Sequence, residues 1–230
     1  MIEWNRIYNE DCLQGIRKID SKSIDLIVTD PPYRFHGTQG GGAFGSKNRK
    51  YHDSVSAHGL LNCGITDGLL KELVRVMKRI NIYIWCNKDQ LRQYLDFFGD
   101  LGCTWDLLCW HKTNPVPTCN NKYLSDTEYL LWFREHGVNL YGTFKTKKKF
   151  WVTPLNRSDK NLYGHPTIKP LPIIKTLVEN SSRENDLVLD PFIGSGTTAV
   201  ACRLTNRNFI GFEINEEYAR VAVNRINEST

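Results

Sequence analysis

The sequence predicts an α/β protein built on a largely parallel sheet with helices on both faces. Three observations carry that expectation. Short apolar runs alternate along the chain with stretches of helical period, the pattern of repeated βα units. Two of those runs end in an acid followed at once by proline: Ile24 to Thr29 leads into Asp30-Pro31-Pro32-Tyr33, and Leu187 to Leu189 leads into Asp190-Pro191-Phe192. The second continues as Gly194-Ser195-Gly196-Thr197-Thr198, which gives the strand, glycine turn and helix of a nucleotide-binding βαβ unit.

The elements follow in order. Ile7-Tyr8-Asn9 predicts a short first strand ending at Asp11, and Cys12 to Ile19 a helix. Ile24 to Thr29 is the strand that delivers Asp30. From Arg34 to His58 the chain is rich in Gly, Ser and Lys and has no period, so a long loop is expected over about 34–60, and loops of that length are functional or flexible. Ile65 to Arg79 reads as a helix because Leu69, Leu70, Leu73, Val74 and Met77 share one face. Asn81 to Cys86 is a strand, Asp89 to Leu101 a helix, and Thr104 to His111 a strand. Asn114-Pro115-Val116-Pro117 breaks the chain before a strand from Glu128 to Phe133. Residues 135–163 are polar, basic and irregular, and are expected to form a short insert. Pro170 to Glu179 predicts a helix with proline in a favourable first-turn position. Leu187 to Asp190 is a strand, Thr197 to Leu204 a helix, Phe209 to Glu213 a strand and Glu216 to Asn227 a closing helix.

At 230 residues, with 40% hydrophobic and 24% charged side chains, the chain suits one globular domain over 1–230. No run approaches the about 18 apolar residues of a membrane span, so no membrane partner is expected. Met1 to Arg6 lacks the apolar stretch of a secretory signal, which makes a cytoplasmic location the expectation. Seven cysteines, an odd number without a Cys-x-x-Cys pair, suit free thiols. Cys109, His111 and Cys119 match no zinc spacing, so no metal is expected.

The formal charge of +5 permits an anionic partner. Lys145, Lys147, Lys148 and Lys149 crowd together before Phe150-Trp151, with Arg157 and Lys160 beyond. Basic residues beside aromatics suit a phosphate backbone with exposed bases; a solvated loop is the alternative. The loop after Tyr33 adds Arg49 and Lys50 as candidates for the same role.

The chemistry of the two strand ends differs. Asp30-Pro31-Pro32-Tyr33 sets an acceptor carboxylate, a rigid turn and a flat ring on one short segment, which can hold a planar base bearing an amino group. At the other end, Gly194 and Gly196 allow close backbone approach to a ligand, and Glu213, closing the next strand, stands where an acid takes ribose hydroxyls. Gly-x-Gly without a third glycine argues weakly for a pyrophosphate. Asp190 beside the glycines suits a ligand carrying a cationic amino group better.

Together, Asp30-Pro-Pro-Tyr33, His165-Pro-x-x-Lys-Pro170 and Asp190-Pro-Phe-x-Gly-x-Gly-Thr-Thr198 resemble the motifs of the S-adenosylmethionine-dependent DNA amino-methyltransferases. The order, base motif first and cofactor motif last, is similar to the β group of that family. So are Glu10-Asp11-Cys12-Leu13, Ser23 to Asp30, and Trp110 to Pro115 followed by Glu128, so the resemblance covers nearly the whole chain. It implies a Rossmann-like methyltransferase sheet with circularly permuted motif order, S-adenosylmethionine as cofactor and DNA as partner, with a homodimer as one arrangement.

Residue by residue, the resemblance implies that Asp30 and the Pro31 carbonyl accept from the target amino group. Pro32 belongs to the same turn, and Tyr33 stacks on a base flipped out of the duplex. It places the methionine part of the cofactor on Asp190, Pro191, Phe192, Gly194, Ser195, Gly196, Thr197 and Thr198, and the ribose on Glu213. Asp11 and Cys12 would meet the adenine edge, while Lys169 and Pro170 close the pocket. An acid at position 30 favours adenine N6 as the target. Cytosine N4, RNA or single-stranded DNA remain alternatives within the enzyme class, as does a silent nucleic-acid-binding subunit outside it. A nicotinamide-dependent oxidoreductase would leave Asp30 to Tyr33 without a use.

Overall fold

The computed structural model describes residues 2–33, 64–115, 117, 121, 123–155, 163 and 168–229. The whole of the expected loop at about 34–60, with Arg49 and Lys50, lies outside the described residues, as do Arg157 and Lys160.

Eight strands form one sheet: β1 (Arg6–Tyr8), β2 (Leu26–Thr29), β3 (Asn81–Cys86), β4 (Thr104–Lys112), β5 (Thr127–Arg134), β6 (Phe150–Thr153), β7 (Leu187–Asp190) and β8 (Asn208–Phe212). Their spatial order is β1-β8-β7-β2-β3-β5-β4-β6. Among the described residues only β5 runs against its neighbours, pairing antiparallel with β3 and with β4. The helices are α1 (Cys12–Ile16), α2 (Asp67–Val76), α3 (Leu91–Asp100), α4 (Leu171–Ser181), α5 (Thr197–Leu204) and α6 (Glu216–Glu228).

The alternation of side chains along the strands divides the core into two layers. Ile27, Ile82, Ile84, Leu131, Phe133 and Leu189 face α2 and α3, where Leu70, Leu73, Tyr94 and Phe98 are buried. Leu26, Val28, Tyr83, Trp85, Trp132 and Val188 face the opposite way, onto Ile173, Leu177, Ala199 and Ile226 of α4, α5 and α6. Burial on both faces explains why the strands read as continuous apolar runs.

Several bounds shift from the sequence reading, as where α2 spans Asp67–Val76 and not Ile65 to Arg79, and two departures have a visible cause. The insert over 135–163 is not wholly irregular, because Phe150 to Thr153 pairs in parallel with Cys109 to Lys112 at the edge of the sheet. Its alternate residues Phe150 and Val152 are exposed, so this short edge strand lacks the apolar continuity of the inner ones. The first helix stops at Ile16 instead of Ile19. Lys18 N and Ile19 N donate to the carbonyls three residues back, and Arg75 of α2 donates to the Ile16 and Ile19 carbonyls, so the end is closed by a tight turn and a guanidinium.

The topology fixes where a ligand fits. From β2 the chain crosses through α2 to β3 on one side, and from β7 through α5 to β8 on the other, while β2 and β7 are themselves neighbours. The crevice beyond the carboxyl ends of such a strand pair is the general ligand site of open α/β sheets. Asp30 and Asp190 stand at those two ends.

Candidate active site

Four adjacent strands deliver four carboxylates to one edge of the sheet. Asp190 is the last residue of β7, Glu213 follows β8, Asp30 follows β2, and Asp11 lies just past β1. Asp11 caps α1 by accepting from Gln14 N at 3.0 Å. Glu213 accepts from Gly194 N at 3.1 Å and from Asn215 N at 2.8 Å, which ties β8 to the glycine turn. Gly194 and Gly196 have φ of 51° and 83°, left-handed values that favour glycine. A Cβ on Gly196 would stand 3.0 Å from Ala222 Cβ, so this glycine also lets α5 approach α6.

Asp190 is 5% exposed, and both of its oxygens are engaged. Oδ1 accepts from Phe192 N at 3.1 Å and Oδ2 from Thr198 Oγ1 at 2.6 Å. Burial pushes its pKa up to about 7, against those two donors. Ser195 and Thr197 are also turned inward, toward Arg225 of α6, whose Nη1 donates to Thr197 Oγ1 at 2.9 Å and to Ser195 O at 3.3 Å. The side chains of Asp190, Ser195, Thr197 and Thr198 therefore shape the turn, whereas Phe192 and Gly194 are only partly covered. Pro191 is buried beneath the turn, and Cys12 opens α1 half-buried, its thiol pushed up to about 12 by burial and by Asp11.

Asp30, Tyr33 and Lys169 converge beside this turn. Lys169 Nζ lies 2.5 Å from Asp30 Oδ2 and 3.5 Å from the Tyr33 hydroxyl. It also stands 5.6 Å from the centre of the Tyr33 ring and 5.1 Å from that of Trp85. Pro170, buried and extended, ends the lead-in to α4 and fixes the direction from which Lys169 enters. Asp30 Oδ1 is buried with no hydrogen-bond partner among the described residues. Burial pushes the Asp30 carboxyl up and Glu128 adds to it, while Lys169 and a hydrogen bond with the Tyr33 hydroxyl oppose it. The Tyr33 hydroxyl is pushed well up by burial and then by Asp30. Pro31 is buried, and the Pro32 carbonyl accepts from Gln90 Nε2 at 3.2 Å.

Three residues of this site escaped the sequence reading as site residues. Gln90 anchors the proline turn. Glu128 and Lys112, from β5 and β4, continue the charge line from Lys169: Glu128 Oε2 is 3.2 Å from Lys169 Nζ, and Glu128 Oε1 is 3.2 Å from Lys112 Nζ. Burial works against the Glu128 carboxylate, but the two ammonium groups outweigh it and hold its pKa down. An ionic residue opening the apolar run Glu128 to Phe133 was the available signal.

The basic cluster is not part of this pocket. Lys145, Lys147, Lys148 and Lys149 are exposed, and Lys149 is paired with Asp106. Their loop docks on the far end of α4, where Asn180 Nδ2 donates to Thr146 O at 3.0 Å. At a helical rise of about 1.5 Å per residue, Asn180 is roughly 16 Å along the helix from Lys169.

The donor set fits a ligand with a cationic centre and ribose hydroxyls. Glu213 sits on the glycine turn, Asp11 and Asp30 stand at the neighbouring strand ends, and Asp30 keeps a buried acceptor without a partner. A pyrophosphate would face those acids.

Comparison with known proteins agrees with this chemistry. The model of an N6/N4 methyltransferase family, described as DNA methylase, matches residues 24–224. The type II methyltransferase M2.LlaDCHI of Lactococcus lactis subsp. cremoris is 28% identical over 96% of this chain and 89% of its own length. The crystal structure of the M1.HpyAVI complex with S-adenosylmethionine superposes with a TM-score of 0.69 at 27% identity, covering 96% of this chain and 98% of the other. The cytosine-N4-specific PvuII DNA methyltransferase shares the fold, with a TM-score of 0.71 at 15% identity over 97% of this chain and 90% of its own.

Proposed function

We propose a reaction for this chain from one premise: it belongs to the DNA methylase family whose members modify N6 of adenine or N4 of cytosine, and its cofactor is S-adenosylmethionine. The reaction is methylation of adenine N6 in DNA, on a base flipped from the duplex. The observation that carries amino-group methylation is the state of Asp30, with Oδ2 held by Lys169 and Oδ1 buried and unpartnered, and the choice of adenine rests on the acid at position 30.

An exocyclic amino nitrogen is a poor nucleophile because its lone pair is delocalised into the ring. Asp30 Oδ1 would accept one N–H and the Pro31 carbonyl the other, which turns the lone pair toward the methyl donor. Tyr33 would carry the base on its ring face, a stacking interaction worth about 1–3 kcal/mol. When bound, the cofactor would supply a sulfonium methyl group: the S–CH3 bond would break as the N–CH3 bond forms in line, the thioether product would leave, and the methylated nitrogen would release one proton to solvent. No side chain need form a covalent bond to the substrate, and positioning with electrostatics supplies the rate.

Phe192, Gly194, Glu213, Asp11 and Cys12 border the pocket proposed for the cofactor, with Asp190, Ser195, Thr197 and Thr198 holding the turn in shape. Lys145, Lys147 and Lys148 would meet the phosphate backbone away from the target base. The test is to incubate the chain with DNA and S-adenosylmethionine and to separate the nucleosides of the product. N6-methyldeoxyadenosine supports the reading; N4-methyldeoxycytidine as the product refutes it.

A further inference from the structure

Asp30, Lys169, Glu128 and Lys112 form an unbroken line of alternating charge, drawn from the loop after β2, the lead-in to α4, and the β4–β5 pair. Asp30 with Lys169 is neutral by itself, and so is Glu128 with Lys112. The link between the two pairs, Lys169 to Glu128, is not required by charge balance. Its consequence is geometric. A lysine held by a single carboxylate can bridge both of its oxygens, and here that would cover Asp30 Oδ1. Glu128 Oε2 lies 3.2 Å from the ammonium as an ion pair without a hydrogen bond, drawing Lys169 from the other side while it meets Oδ2 and Oδ1 stays open. Lys112, only 11% exposed, fixes the second oxygen of Glu128 and so fixes its orientation. The same ammonium lies against the faces of Tyr33 and Trp85, so a shift of Lys169 would disturb the stacking ring as well as the acceptor.

We propose that Glu128 is a positioning residue for the target base, acting through Lys169 to keep Oδ1 of Asp30 open to the amino group and the Tyr33 ring in place. The inference rests on the reading of Asp30 as the acceptor. Among the described residues, Glu128 reaches Asp30 through Lys169.

The test compares Glu128→Gln, the double variant Glu128→Gln/Lys112→Met, and Asp30→Ala with the unaltered chain, on DNA with S-adenosylmethionine. Glu128→Gln strands the Lys112 charge and lowers the melting temperature; the double variant removes that charge and restores it. In both, kcat is expected to fall roughly ten- to a hundredfold, the scale of a misplaced reacting group, with cofactor Kd within about twofold. The acid limb of the kcat profile should move to lower pH, because the carboxylate that raises Asp30 is gone. A double variant that regains both stability and kcat would overturn the proposal, leaving Glu128 as a counter-charge for Lys112. An unmoved acid limb with normal kcat in Glu128→Gln would also overturn it. Activity retained in Asp30→Ala would instead refute the acceptor reading itself, which separates the two failures.

Discussion

Asp30 and Lys169, 139 positions apart in the chain, meet with Lys169 Nζ 2.5 Å from Asp30 Oδ2. The pairing joins the proline turn after β2 to the residue that leads into α4, and it leaves one carboxylate oxygen for another partner. Replacing Asp30 with Ala removes that acceptor, while Lys169 keeps Glu128 as its counter-ion. Methyl transfer should fall by at least about a hundredfold, the usual scale for losing a positioned polar group at the reacting centre. Cofactor binding, measured by calorimetry, should stay within a few fold. Full activity in this variant would remove the basis of the proposed geometry.

Asp190 gives the fold a pH dependence. Its carboxyl is raised from the ordinary 3.8 to about 7 by burial, so the folded state binds a proton that the unfolded chain releases. The stability it contributes is fully present below about 4 and is lost as pH rises through about 7. Urea titrations across that range should show stability falling with pH, with a shallower slope in Asp190→Asn. An equal slope in the two proteins would show that this carboxyl titrates normally.

Gly196 joins backbone strain to close packing. Alanine there would hold φ near 83° and bring its Cβ to 3.0 Å from Ala222. A loss of about 1–2 kcal/mol of stability is expected from the left-handed conformation alone, together with weaker S-adenosylmethionine binding as the turn shifts. Thermal melts with and without cofactor read both effects, and an unchanged pair of melts would contradict them.

The surface lysines divide by their partners. Lys149 is paired with Asp106, whereas Lys145, Lys147 and Lys148 have no ion pair among the described residues. Replacing those three with Ala should weaken DNA binding and reduce the slope of log affinity on log salt by about 0.9 for each phosphate that a lysine no longer neutralises. Lys149→Ala should alter the slope less. An unchanged slope in the triple variant would make the cluster a solvated loop.

Local patterns made the inner sheet legible. Asn81 to Cys86, Leu187 to Asp190 and Thr197 to Leu204 have the bounds expected from their apolar runs and caps, because burial on both faces leaves a strong signal. The strand Phe150–Thr153 left none, since its pairing with β4 is long-range and half of its side chains face solvent. The same divide holds at the site. Asp30, Tyr33, Lys169 and the glycine turn stand in recognisable local motifs, and the structure brings them together. The inward roles of Asp190, Ser195 and Thr197 depend on Phe192, Thr198 and Arg225 around them. Gln90, Glu128 and Lys112 act through long-range pairings that sequence spacing does not encode.

The central claim is that this chain places a methyl group on N6 of adenine in DNA. The most direct test is long-read modification mapping of genomic DNA from a methylase-free host expressing the chain, beside a host expressing Asp30→Ala. The proposed chemistry predicts N6-methyladenine at a single short sequence motif with the unaltered chain, and none with the variant. N4-methylcytosine at such a motif, or unmodified DNA from a host whose purified protein binds S-adenosylmethionine, would contradict it.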